Sequence, residues 1–107
     1  MRKVTVERKR KIVASVMKIH IYVQSNEPVD LVLDNSNLRY VESIKNGKSI
    51  SFELPEEPIC VYVVFDKNFP SKFNNKICLP AGNEEIVLVT APSYNPLKGN
   101  PFEIWRK

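Results

Sequence analysis

Glycine is scarce in this chain: there are three among 107 residues, against eight prolines. Few positions can therefore take a positive φ, and the loops must be shaped by proline, asparagine and aspartate. Gly47, Gly82 and Gly99 stand far apart. Their spacing excludes a glycine-rich phosphate loop, and the chain has no G-x-S-x-G nucleophile elbow. There is one histidine, His20, and the two cysteines, Cys60 and Cys78, lack the C-x-x-C spacing of a ligand pair. An ordinary Cys/His zinc site is thus out of reach. Long apolar runs are missing too. Nothing approaches the roughly 18 residues of a membrane span. Ile12 to Met17 falls short of the about 7–15 apolar residues of a secretory leader. The expectation from the chain as written is a cytoplasmic protein with reduced cysteines. Cys60 sits in the apolar stretch Ile59–Phe65, where a thiol serves as a small, inert core residue. A disulfide is the alternative.

What is present points to one domain spanning residues 1–107. Hydrophobic residues make up 43% and charged residues 26%, enough for a single core and unlike a disordered chain. The recurring period is two. Val4 and Val6 alternate with polar neighbours, and Met17, Ile19, Ile21 and Val23 alternate with Lys18, His20, Tyr22 and Gln24, as in half-buried strands. Val29–Leu33 follows as a short strand. Asn46-Gly47 is a two-residue hairpin signal. Pairing Lys45 with Lys48 sets Ser43 against Ile50 and Val41 against Phe52, and leaves Ile44 on the opposite face. Ile59–Phe65 is apolar throughout, as a strand buried on both faces would be. Short strands at Ile77–Leu79, Glu84–Ala91 and Phe102–Arg106 complete the set. Seven to nine short strands in this length predict an all-β fold, a small antiparallel β-sandwich of immunoglobulin-like or transthyretin-like kind. A small OB-type barrel is the alternative.

The succession of Ile21-Tyr22-Val23, the turn at Asn46-Gly47-Lys48, the strand Ser49–Leu54 and the apolar strand Ile59–Phe65 resembles small bacterial β-sandwich modules of the PEGA type. Pro55-Glu56 stands where such a module carries its signature, followed here by Glu57-Pro58 in place of Gly-Ala. The resemblance covers about half the chain. It implies a module of unassigned function with no catalytic residues to transfer.

Reactive constellations are not expected. His20 lies on the polar phase of its strand. The doublets Glu56-Glu57 and Glu84-Glu85 sit at turns, where charge also discourages edge pairing. Asp34-Asn35-Ser36-Asn37 lacks the glycine and distal glutamate of an EF-hand loop and reads as an Asx turn. No catalytic residue, cofactor or metal is expected. Charge is the exception to this plain reading. Residues 1–18 carry a net +6 and residues 19–107 a net −2. Arg8, Lys9, Arg10 and Lys11 form an uninterrupted basic run, a candidate contact for nucleic acid or anionic lipid, although it holds no aromatic for base stacking. The loop from Tyr94 to Phe102 and nearby Trp105 are a second candidate, for a protein partner or ligand, through Tyr94, Asn95, Asn100, Phe102 and Trp105. The first expectation is a non-catalytic protein-interaction or accessory module. Anion binding through the basic segment is the alternative.

Overall fold

Among the described residues, nine strands form two sheets packed face to face. The computed structural model describes residues 1–10, 18–27, 31–33, 36–64, 74–92 and 102–107. Met17, Asp34 and Asn35, named above, lie outside the described residues, as do Pro28–Asp30 and 65–73. The strands are β1 (Arg2–Arg8), β2 (Ile19–Ser25), β3 (Leu31–Leu33), β4 (Ser36–Ile44), β5 (Ser49–Leu54), β6 (Ile59–Val64), β7 (Asn74–Leu79), β8 (Ile86–Pro92) and β9 (Phe102–Arg106). One sheet has the order β5-β1-β8-β9 and the other β3-β4-β2-β6-β7. The all-β sandwich expected from the alternation is what the chain builds. Among the described residues its pairing is antiparallel with one exception, because β1 runs parallel to β8.

The interior follows the period-two pattern. Val4 and Val6 of β1, Ile19, Ile21 and Val23 of β2, Val61 and Val63 of β6, and Leu88 of β8 are fully buried between the sheets. Removing each such side chain from water is worth about 1.5–3 kcal/mol. β6 is buried on both faces, as its unbroken apolar run predicts. Tyr62 and Val64 point away from the main core and join Tyr22 and Leu38 in a second cluster, packed against Cys60. Tyr22, placed by alternation on a polar phase, is therefore buried. The register explains this: Tyr22 lies opposite Tyr62, so two rings cover the outer side of the sheet together.

The Asn-Gly turn forms, but it does not make a hairpin. Lys48 N donates to Lys45 O at 3.0 Å, and Gly47 has φ 74°. However, β4 pairs with β2 and β3, while β5 pairs with β1 in the other sheet. The turn is a corner between the sheets. In a hairpin, Ile44 would face away from Ile50 and Phe52. Across a corner all three face one interior, where Ile44 is buried and the other two pack half-buried. A bulge adjusts β4 further. Ile21 pairs with Glu42 and Tyr22 with Tyr40, so the ladder skips Val41. The extra residue lets Val41 and Ile44, three apart, both reach the core.

β7 is longer than its apolar residues suggest, because Asn74 and Asn75 extend the ladder along Val64 and Val63. Ser36 and Asn37, expected in an Asx turn, belong to β4, where they pair with Leu33 and Val32. The cysteines are also corrected. Cys60 and Cys78 are directly opposed on β6 and β7 and form a disulfide. Each lies on the outer phase of its strand, Cys60 half-buried and Cys78 exposed. The apolar run around Cys60 hid this, because a strand buried by clusters on both faces still has a partly open edge position.

Candidate anion-binding surface

The basic N-terminal segment divides into two classes by strand parity. Arg2, Val4, Val6 and Arg8 share the inward phase of β1, and both arginines are buried. They stand at opposite ends of the strand, where the sandwich must be closed. Arg2 donates from Nη1 to Pro80 O at 2.6 Å and from Nη2 to Glu57 O at 2.9 Å. It thereby ties the β5–β6 connection to the β7–β8 connection, which are also linked by Gly82 N donating to Glu56 O. Arg8 does the same for the Asn-Gly corner. Its backbone N–H donates to Lys48 O, and its Nη1 donates to Ile44 O at 2.6 Å. Its guanidinium lies 5.0 Å from the centroid of Phe102. Burial pulls the Arg8 pKa below its ordinary value, yet arginine stays charged at any working pH. Arg8 is thus a clamp on the fold, not a member of an exposed basic run.

The outward phase carries the candidate site. Ser49, Glu7, Val89 and Trp105 lie in one row across β5, β1, β8 and β9. The buried Val89 and the partly exposed Trp105 form an apolar floor. Lys9 Nζ sits 5.5 Å from the Trp105 ring centroid. Lys107 Nζ lies 3.0 Å from Glu7 Oε1. Lys48, from the corner, completes the rim of a depression of about 490 Å³ lined by Glu7, Lys9, Lys48, Trp105 and Lys107. Gly47 also lines it, and an added Cβ there would lie 3.2 Å from Cβ of Arg10. Arg10 is therefore laid directly over the corner. Lys9, Arg10, Lys45, Lys48 and Lys107 are all exposed. Among the described residues, Lys107 is the one of these five with an ion pair. Glu103 also lies on the outward phase, two residues before Trp105, so the surface is basic without being uniformly so.

Of the sequence candidates, the structure brings Lys9 and Trp105 together and lays Arg10 against Gly47 at the corner; Arg8 borders the same depression, but its side chain is buried. Arg8 faces inward. Phe102 is fully buried in the core and presents no side chain to a partner. Lys11, Tyr94, Asn95 and Asn100 lie outside the described residues. Lys48 and Lys107 were not singled out from the sequence, though a turn flanked by Lys45 and Lys48 carried a visible signal. Lys107 is nearly sixty residues further on, and only the β8–β9 pairing brings it near. Elsewhere, His20 Nδ1 lies 2.6 Å from Ser43 Oγ, which is also 2.7 Å from Tyr40 Oη. Among the described residues no three His, Cys, Asp or Glu side chains gather as metal ligands, and no helix is long and apolar enough to cross a membrane.

No protein-family model matches the chain, and no curated protein or solved structure matches it significantly.

Proposed function

We propose that this chain is a non-catalytic binding module that recognises an anionic partner through the surface around Lys9, Lys48 and Lys107. The convergence of cations from three distant segments on one depression carries the reading. Lys9, Lys48 and Lys107 line this depression, and among the described residues Glu7 is the one carboxylate that lines it with them. Summed at this range, such charges raise the local potential and steer anions even when each contact is weak. The sequence expectation of a general protein-interaction module is narrowed by this surface, and its partner loop loses Phe102 to the core. Cys60 and Cys78 are bonded to each other and so hold no thiolate nucleophile.

The test is binding of inorganic polyphosphate across a salt series. A variant carrying Ser at Lys9, Arg10, Lys48 and Lys107 is compared with Lys76→Ser, which changes a cation on the other sheet. Affinity should fall steeply with salt in the parent, because each neutralised phosphate releases condensed counterions. It should collapse in the four-site variant and persist in Lys76→Ser. Equal binding by all three proteins would refute the assignment.

A further inference from the structure

The geometry points to single-stranded nucleic acid as the ligand class of this surface, with a base stacked on Trp105 and phosphates held by Lys9 and Lys48; this rests on the anion-binding reading above. The basic run by itself lacks an aromatic. The tertiary structure supplies one, since β9 sets Trp105 beside Lys9 across the outer face of the sheet. A partly exposed indole with Lys9 against its ring, and Lys48 and Lys107 lining the same depression, provides both elements of sequence-tolerant single-strand recognition, a π-face for a base and charges that track the backbone. In the free protein Lys9 occupies the ring face. A nucleobase is a better stacking partner for indole than a hydrated ammonium, and its arrival returns Lys9 to the rim, where a phosphate would lie. The depression of about 490 Å³ falls within the usual range for small-ligand sites, about 300–1,000 Å³. Glu7 and Ser49 at its side offer an acceptor and a hydroxyl to base or sugar donors. A duplex would not fit this design, because its bases are not free to stack on a side chain.

Trp105 is the chain's single tryptophan, so its emission reports the site without interference. The experiment titrates the parent with an eight-residue oligothymidylate, inorganic polyphosphate and heparin, following Trp105 fluorescence and, with labelled ligands, anisotropy. Trp105→Leu and Trp105→Phe are then compared by anisotropy. The proposal expects quenching by the oligonucleotide and none by polyphosphate. It expects Trp105→Leu to weaken the oligonucleotide by roughly 5- to 100-fold, as for one stacked base, with polyphosphate affinity unchanged and Trp105→Phe largely restoring binding. Retained polyphosphate binding also shows that the Leu variant is folded.

Equal oligonucleotide affinity in parent and Trp105→Leu would overturn the stacking proposal while leaving the anion-binding surface intact. Quenching and Trp105-dependent affinity for heparin alone would overturn it in favour of a sulfated polysaccharide. Binding of none of the three polyanions would remove both readings.

Discussion

Replacing Arg8 by methionine tests whether a residue that the sequence groups with an exposed anion-binding run instead holds the fold together. Methionine keeps much of the aliphatic volume and removes the guanidinium. The buried Ile44 carbonyl then loses the donor held at 2.6 Å, and leaving such a group unsatisfied costs about 1–3 kcal/mol. The cation over Phe102 at 5.0 Å is largely desolvated, which makes its loss worth up to about 2 kcal/mol. Against these stands relief from keeping a charged group buried, the same desolvation that lowers its pKa. The net expectation is destabilisation by about 2–3 kcal/mol. With an unfolding entropy of about 2.1 cal/mol/K per residue, that lowers Tm by roughly 10 °C for a chain of this length. Lys9→Ser is the control, since an exposed substitution changes stability by less than about 0.5 kcal/mol. Thermal melts by circular dichroism give both values, and polyphosphate affinity is measured well below either transition. The reasoning requires a double dissociation: Arg8→Met is unstable but binds, whereas Lys9→Ser is stable but binds less. An Arg8→Met protein that melts with the parent and fails to bind would refute it.

Three other substitutions test the frame. Reducing the disulfide, or replacing both Cys60 and Cys78 by alanine, releases a loop with sequence separation 18. The chain-entropy relation gives a loss of about 3 kcal/mol, to be read as a lower denaturation midpoint; an unchanged midpoint, or two free thiols titrating in the untreated protein, would contradict the bridge. Phe102→Ala empties a fully buried site and should cost about 3–5 kcal/mol by denaturant titration, whereas an exposed partner-loop aromatic would cost almost nothing. Gly47→Ala forces a side chain into φ 74° and within 3.2 Å of Arg10. It should lower stability by about 1–2 kcal/mol, and parent-like melting would mean that the corner is built otherwise.

Much of the fold was legible because parity is a local property. Alternation in Val4–Val6 and Ile19–Val23 identified buried faces, and the unbroken Ile59–Phe65 run identified a strand covered twice, which the structure forms over Ile59–Val64. The Asn-Gly pair marked a turn for a local reason, the positive φ that Gly47 adopts. What the turn joined was not local. Ile44 on the wrong face for a hairpin was the sign of a corner, and the bulge at Val41 shows how β4 resolved the conflict. The candidate site was half legible on the same terms. Lys9 and Arg10 stand in an obvious run, but inside that run Arg8 differs from Lys9 only by strand parity at the end of β1. The closed mouth of the sandwich gives that parity its meaning.

The chain's own pattern thus determined an all-β, two-faced architecture, the places where it turns, and the concentration of positive charge near its start. These follow from side-chain polarity at period two and from backbone freedom at single residues, neither of which needs a partner. Only the tertiary structure decided which strands pair. It set β1 between β5 and β8, opposed Cys60 to Cys78 across β6 and β7, and carried Trp105 and Lys107 to the side of Lys9. Pairing between residues tens of positions apart depends on the simultaneous closure of both sheets around one core, and no short window of sequence contains that condition.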